Sequence, residues 1–172
     1  MSQLKEPTPG FMFGSFLYNE EETDEKNCSG LWCDRFNIND MFIPLFNPLK
    51  EYYSKEMGPH LKRFFVIDFT KRSRDEFVEA KIWADTLERK FIKNNKRTLN
   101  LDIGFLSLEN FQLATGKPYS HRIYLRDGVY SDLTYIFENN TFKNLPWTYP
   151  DYRDEEKIKI FNNWREKLKQ SL

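Results

Sequence analysis

The sequence predicts an α+β protein, a two-layer sandwich in which helices cover one face of a mostly antiparallel sheet. Three segments carry this prediction: an apolar strand at 61–70, an amphipathic helix that begins after Ser73, and a three-stranded meander at 121–145. The nearest common scheme is a ferredoxin-like β-α-β-β-α-β core with a C-terminal meander and helix. The length of 172 residues fits a single domain over 1–172.

The first part of the chain mixes strand and helix signals. Residues 11–18 are rich in β-forming aromatic and branched side chains and predict a first strand. Residues 20–36 open with acidic, helix-starting chemistry, but Gly30 interrupts them, so they predict a short helix or a loop. Pro44 and Pro48 exclude a central strand where they stand, because each removes a ladder donor. The segment from 49 to 57 is compatible with a strand or a short helix.

The middle of the chain holds the clearest elements. The apolar centre of 61–70 indicates a strand that is buried on both faces. Ser73 and Glu76 have the spacing of a capping box at the start of a helix. The apolar stripe of that helix comprises Phe77, Ala80, Ala84, Leu87 and Phe91, and Asn94-Asn95 is expected to end it. Residues 98–103 alternate as a strand that Gly104 is expected to break, followed by a short helix or bent strand at 105–114.

The last third predicts a meander and a final helix. Asp127-Gly128 is a strong hairpin-turn dipeptide, and Asn139-Asn140 marks the next turn. Residues 146–152 form a rigid aromatic segment flanked by prolines. Asp151 and Asp154 are placed to cap the helix that follows, which carries apolar residues on one face.

Composition excludes several classes of protein. The 26 basic and 26 acidic residues cancel, which argues against the basic surface of a nucleic-acid-binding protein. No apolar run approaches the roughly 18–20 residues of a membrane helix, and the N-terminus lacks a signal peptide. We therefore expect a cytoplasmic protein without membrane contact. Aromatic residues make up 17% of the chain, enough for a large core despite its polar composition.

Motifs for cofactors and metals are also missing from the sequence. There is no P-loop, no G-x-G-x-x-G and no H-E-x-x-H, so no cofactor is indicated. Cys28 and Cys33 would need two further ligands to hold zinc, and His60 and His121 do not stand at ligand spacing from them. We expect no metal site.

Several motifs together carry a family resemblance. They are Glu51-Tyr52-Tyr53, Glu56-Met57-Gly58, Leu61-Lys62-Arg63, Asn100-Leu101-Asp102, His121-Arg122-Ile123-Tyr124-Leu125, Gly128-Val129-Tyr130 and 145–152. In order and spacing they resemble the bacterial and archaeal family called domain of unknown function 4416. The chain departs from the family pattern at Ile103, where a proline is usual. The resemblance covers about two-thirds of the chain and implies no established activity.

One set of candidate site residues comes from the strands after residue 98. Its members are Asn100, Asp102, His121, Arg122 and Tyr124. His121 is suited to general acid or base catalysis with Asp102 orienting it, and Arg122 offers a forked donor to phosphate or carboxylate. Strand alternation places His121 and Arg122 on opposite faces unless a bulge intervenes. The alternative is a structural His121 that is hydrogen-bonded to Asp102 or to the backbone.

Two further sets are candidates for ligand binding. One comprises Tyr52, Tyr53, Glu56, Lys62 and Arg63; the other comprises Trp147, Thr148, Tyr149, Asp151 and Tyr152. Glu56 and Arg63 form either a ligand-binding pair or a plain surface ion pair. The aromatic segment either lines a pocket or partner surface, or packs on the sheet and starts the last helix.

These observations favour a small-ligand protein or enzyme that acts on a phosphate- or carboxylate-bearing metabolite or nucleotide. The alternative is a non-catalytic interaction module, or a homo-oligomer, that uses the aromatic 146–152 segment. RNA binding on a ferredoxin-like sheet is a third hypothesis, which the zero net charge disfavours. The sequence leaves open whether the protein is an enzyme.

Overall fold

A computed structural model describes residues 3–44 and 50–172, with side chains from 53 onward in the second range. Pro48 and the side chain of Tyr52 lie outside the described residues. The described strands are β1 (Gly10–Asn19), β2 (Asp40–Phe42), β3 (Leu61–Arg72), β4 (Ile92–Lys93), β5 (Lys96–Arg97), β6 (Leu99–Leu106), β7 (Asn110–Thr115), β8 (Arg122–Arg126), β9 (Val129–Glu138) and β10 (Thr141–Asn144). The described helices are α1 (Glu25–Cys33), α2 (Lys50–Met57), α3 (Glu76–Lys90) and α4 (Glu155–Ser171).

Eight strands form one antiparallel sheet, which confirms the α+β class. Its order is β10-β9-β7-β6-β1-β3-β2, with β8 also paired to β9. The part β6-β1-β3-β2, with α1 after β1 and α3 after β3, has the strand order and directions of a ferredoxin-like core. The remaining strands extend this core beyond β6.

Hydrophobic side chains cover both faces of the sheet. On one face, α1 and α3 pack on alternate β1 residues such as Met12 and Phe16. On the other face, α4 packs through Phe161 and Trp164 against residues such as Phe13. All ten residues of β1 are buried, so each face of this strand needs a covering layer. The helices of the ferredoxin-like core occupy one face as expected, and α4 adds a third layer on the other.

The two segments for which the sequence left the structure open, 20–36 and 49–57, each contain a helix. Residues 20–36 contain α1, which begins after Asp24, whose carboxylate accepts the Asn27 N–H. The segment 49–57 contains α2 rather than a strand. β2 is an edge strand and ends before Pro44, in agreement with the exclusion of a central strand there.

Helix α3 begins at Glu76 with Asp75 as its N-cap residue, so the predicted N-cap, Ser73, lies two residues too early. The Glu76 carboxylate accepts the Ser73 N–H at 3.2 Å, and the Ser73 hydroxyl accepts the Asp75 N–H. The helix ends at Lys90, four residues before Asn94-Asn95. The two asparagines instead form the turn between β4 and β5, both with positive φ.

The expected break at Gly104 is wrong, because β6 runs through it to Leu106. A Cβ there would lie 2.6 Å from Phe111 Cζ and 2.7 Å from Phe13 Cδ1. Glycine at this position therefore lets two buried rings meet over the strand. The segment at 105–114 contains β7, a strand.

The meander is confirmed as β8, β9 and β10. Both turns use residues with positive φ, including Asp127 and Asn139, as expected for primed hairpin turns. Asp154 caps α4 by accepting the Lys157 N–H, whereas Asp151 lies in a 3-10 turn, Pro150–Tyr152, and contacts Arg63. No helix in the described parts of the chain is long and apolar enough to cross a membrane.

Candidate functional site

The segment 145–152, called the strap below, fills a gap in the edge of the sheet. The outer edge of β9 pairs with β8 as far as Asp132 and with β10 from Tyr135 onward. Between these two stretches, Trp147 Nε1 donates to the Leu133 carbonyl at 2.7 Å and the Thr148 hydroxyl donates to the Thr134 carbonyl at 2.6 Å. The strap is therefore hydrogen-bonded at the point where both neighbouring strands leave β9 unpaired.

A bulge in β8 determines which side chains meet beside the strap. A regular two-residue hairpin across Asp127-Gly128 would place Arg122 opposite Leu133. The register shifts between Tyr124 and Arg126, and Arg122 stands opposite Asp132 instead. Residues directly opposite each other share a face, so Arg122 and Asp132 point the same way. His121 lies just before β8, where strand alternation does not apply.

His121 and Arg122 converge on the Asp132 carboxylate. Asp132 Oδ2 lies 2.9 Å from Arg122 Nε and 3.2 Å from His121 Nε2. The Trp147 ring stacks on the His121 ring at 4.9 Å and 13°. Arg122 Nη2 donates to the Tyr149 hydroxyl at 2.8 Å. These five residues are called the His121 cluster.

The His121 cluster is largely buried and electrostatically coupled. The side chains of Asp132, Arg122 and His121 are 3%, 9% and 12% exposed. Burial lowers the pKa of Arg122, but hydrogen bonds and charge from Asp132 and Tyr149 outweigh burial, and the pKa is raised. The contact with Asp132 leaves His121 Nδ1 as the ring nitrogen that can bind a ligand or accept a proton. Asp132 Oδ1 is buried and has no hydrogen-bond partner among the described residues.

Asp102, the expected partner of His121, belongs to a second group on the same sheet face. There, Arg63 Nη1 donates to Asp151 Oδ2 at 2.6 Å, and the Arg63 guanidinium lies 5.7 Å from the Tyr53 ring centroid. Tyr152 and Asp102 lie close enough to influence the pKa of Arg63. We call these five residues the Arg63 cluster.

The Arg63 cluster places a charge in the interior. Arg63 is 3% exposed. Burial lowers its pKa, but Tyr152 and the carboxylates of Asp151 and Asp102 raise it, and the net shift is upward. Burial raises the pKa of Tyr53 to about 12. Arg63 therefore stays charged and Tyr53 stays protonated at neutral pH.

The expected contact of Glu56 with Arg63 is replaced by one with Arg97. Arg97 Nη2 lies 2.9 Å from Glu56 Oε1, and Arg97 Nη1 donates to Asn100 Oδ1 at 2.7 Å and to Glu88 at 3.1 Å. Glu88 also accepts the Leu101 N–H at 2.9 Å, at a part of β6 that β7 does not reach. Asn100 and Glu56 are thus joined through Arg97.

Two further candidates stand apart. Tyr124 is exposed and packs edge-on against Tyr130 at 5.2 Å, outside the His121 cluster. Lys62 forms a surface contact with Glu20 at 3.6 Å. Within the strap, Thr148 and Tyr152 are buried, while Trp147 and Tyr149 remain partly exposed.

Sequence reasoning missed Asp132, Arg97 and Glu88. A usable signal existed for Glu88, which follows Ala84 by four residues and so lies beside the apolar stripe of α3. A charged residue inside the apolar alternation of β9 was a weaker signal for Asp132. Its partners depend on the β8 bulge, which no residue pattern marked. Among the described residues, no three His, Cys, Asp or Glu side chains are grouped as a metal site requires.

Fold and side chains together define an α+β protein with a ferredoxin-like core and two polar clusters beside a C-terminal strap. The family model Domain of unknown function (DUF4416) matches residues 11–168, and the chain belongs to this family. The match confirms the resemblance and extends it to β1. No curated protein and no solved structure matches the chain significantly.

Proposed function

We propose that the protein binds a small anionic ligand, a phosphate- or carboxylate-bearing metabolite or nucleotide, at the His121 cluster in the cytoplasm. The observation that carries this proposal is the convergence of His121 and Arg122 on the buried Asp132 carboxylate. An imidazole and a guanidinium held in fixed orientation are suited to recognise an anion.

The charges around the cluster support an anionic ligand. Besides Arg122, the guanidinium of Arg153 lies beside the cluster and donates to the Thr148 and Pro146 carbonyls of the strap. Asp132 is the carboxylate that opposes them. Arg122 uses three of its five N–H groups on Asp132, Lys117 and Tyr149, which leaves two for a ligand.

Aromatic rings support a ligand with a planar part. Trp147 stacks on His121, and the Tyr119 ring lies 5.2 Å from the His121 ring with its own side chain exposed. Rings of this kind stack on nucleobases in a sequence-tolerant way. A nucleotide would place its base against these rings and its phosphate near Arg122.

The His121–Asp132 pair also provides the chemistry for proton transfer. With Nε2 held by Asp132, Nδ1 has the lone pair of a general base. An enzymatic role would require a substrate proton within hydrogen-bonding distance of Nδ1.

Thermal shift with phosphate, nucleoside monophosphates and dicarboxylates tests the proposal. A ligand at 100-fold its Kd adds about 2.7 kcal/mol, which is a rise of roughly 5–10 °C in Tm for a chain of this size. We expect the rise to vanish in His121→Ala and to persist in His60→Ala. His60 is a matched control because it is exposed and contacts only Glu21 among the described ion-pair partners. No response to the panel, or an equal response in both variants, would contradict anion binding here.

A second candidate function is self-association or partner binding through the same end of the sheet. The outer edge of β8 exposes Ile123, Tyr124 and Leu125, next to the partly exposed Trp147 and Tyr149 of the strap. Exposed edge strands with apolar side chains commonly pair with another chain. Sedimentation velocity of wild type and Tyr124→Lys tests it: we expect a dimer that the substitution dissociates, and a monomer at all concentrations contradicts self-association.

A further inference from the structure

We propose that the anion recognised at the His121 cluster is the C-terminal carboxylate of a partner polypeptide, whose last residues pair as an extra strand with the open edge of β8. This inference rests on the proposed anion site and names the class of its ligand. It joins two features that lie side by side: a cluster suited to anions at the start of β8, and an apolar strand edge that begins there.

The outer edge of β8 is open and apolar. Among the described strands, β8 pairs with β9 alone, so the N–H and C=O groups on its other side have no strand partner. Ile123 and Tyr124 are 70% and 57% exposed, and Leu125 is exposed as well. Of the eleven large hydrophobic side chains that the described part of the chain exposes, six lie in the segments 119–125 and 147–149. Such a concentration in one place is typical of an interaction surface.

This edge presents no unpaired charge of the kind that prevents pairing with another chain. The charged residues of β8 are Arg122 and Arg126 at its two ends, and both form ion pairs. A bulge at Leu125 leaves a short regular stretch from Arg122 to Tyr124. The edge therefore suits the last few residues of an extended peptide better than a long strand.

The direction of pairing places the end of such a peptide at the anion site. The paired strands of the sheet are antiparallel, and a peptide that adds to β8 in the same way has its C-terminus beside the start of β8. β8 begins at Arg122, whose N–H donates to the Tyr119 carbonyl at 3.1 Å in the preceding turn. A paired strand finds no further β8 residue beyond Arg122, so its last residue lies next to the His121 cluster.

The charges at the two ends of β8 fit a carboxylate at the Arg122 end. The Arg122 guanidinium has two N–H groups left for a ligand, and such a fork matches the two oxygens of a carboxylate. The Arg153 guanidinium beside the strap adds positive charge at this end. At the other end, Arg126 contacts two carboxylates, Glu79 and Asp127, which repel a further anion.

An array of synthetic pentapeptides tests the role of the carboxylate. Each peptide carries Val, Ile, Leu, Thr or Tyr at its last four positions and is made both with a free C-terminal carboxyl group and as the amide. Fluorescence anisotropy then gives Kd for the strongest binder in both forms. We expect the amide to bind about 10- to 100-fold more weakly, the usual effect of losing hydrogen bonds to a charged group. Amides that bind as tightly as the free acids, or no binding by any peptide, would overturn the proposal.

Backbone N-methylation of that peptide tests the strand pairing. A strand bonds to one neighbour through alternate residues. Methylation of one alternate set should therefore weaken binding about tenfold, and methylation of the other set should have little effect. Equal Kd values for the two methylated peptides would contradict strand pairing.

A pair of protein variants locates the peptide on β8. Ile123→Ser should weaken binding about two- to fivefold, the size of a cross-strand contact. The matched control is Ile92→Ser, which changes an isoleucine that is exposed on β4 and should leave Kd unchanged. Equal Kd values in the two variants would place the peptide away from β8 and overturn the proposal.

Failure of this proposal can be told apart from failure of the proposed function. If phosphate or a dicarboxylate raises the Tm of wild type and not of His121→Ala, while no free-acid peptide binds, the anion site stands and the partner class named here is wrong. If no anion raises Tm and the amides bind as tightly as the acids, both proposals are wrong.

Discussion

The buried ion pair of Arg63 and Asp151 gives the sharpest test of how the strap is held. Their side chains are 1% and 12% exposed, and the two atoms in contact are 2.6 Å apart. The pair joins β3 to the 3-10 turn that ends the strap, across 88 residues of sequence. In Asp151→Ala the guanidinium stays buried without this partner. Breaking such a pair by removing one member costs about 3–5 kcal/mol.

The neighbourhood of Arg63 places the expected loss at the lower end of that range. Asp102 stands nearby and partly compensates the Arg63 charge, and Tyr53 keeps its ring beside the guanidinium. We therefore expect Asp151→Ala to lose about 3 kcal/mol of unfolding free energy. For a chain of this size that is a fall of roughly 6–12 °C in Tm.

Equilibrium urea denaturation of a double-mutant cycle is the assay. Besides Asp151→Ala, the cycle contains Arg63→Met and the double variant. The double variant should be less destabilised than the sum of the single variants, because it contains neither a buried guanidinium without Asp151 nor an Asp151 carboxylate without Arg63. Asp85→Ala is the control, since its partner Arg89 is solvent-exposed and the pair should show no measurable coupling. A loss below about 1 kcal/mol in Asp151→Ala, the level of a surface pair, would refute the claim that Arg63 and Asp151 form a buried, stabilising ion pair.

Three further predictions follow from the packing and the electrostatics. Gly104→Ala should lower stability by about 1–3 kcal/mol, as overpacking does, because its Cβ would meet buried aromatic rings at 2.6 Å; urea denaturation measures this. Burial raises the pKa of Asp68, but hydrogen bonds from residues 70 and 72 outweigh it and the pKa is lowered; wild type should therefore lose stability as pH falls through that lowered value, and Asp68→Asn should lack this component in acid titrations. Burial raises the pKa of the Cys28 thiol to about 12, whereas Cys33 is exposed; a maleimide should label one thiol in the native protein and two in denaturant.

Sequence reasoning could predict elements whose signals are local. The apolar run of β3, the stripe of α3 and the turn dipeptides of the meander each specify their structure within about twenty residues. Gly104 illustrates the limit, since glycine usually weakens a strand. Here the strand continues because two rings from other strands need the space above it. That requirement is tertiary and is invisible in the segment itself.

For the His121 cluster too, the sequence predicted part of the site, and the rest depends on tertiary structure. The sequence identified the residue types, and Trp147, Tyr149, His121 and Arg122 do lie together. The sequence did not identify which carboxylate contacts His121 and Arg122. Asp102 and Asp132 both lie on strands, and the strand register determines that Asp132 is the one nearby. Antiparallel pairing has a period of two, so a shift of one residue exchanges the faces. Residue alternation alone cannot reveal such a shift.

Two irregularities in the pairing of β9 with its neighbours place the candidate site. Towards β7, the register passes from Tyr135 to Leu133 and leaves Thr134 as an extra residue, whose carbonyl binds Thr148 of the strap. Towards β8, Leu125 is the extra residue. Without that second bulge, Ile123 would stand opposite Asp132 and the arginine would point to the other face, so a buried carboxylate would lose its guanidinium partner. The His121 cluster therefore depends on backbone register as much as on residue identity, which explains why it emerges in the structure and not from the spacing of its residues.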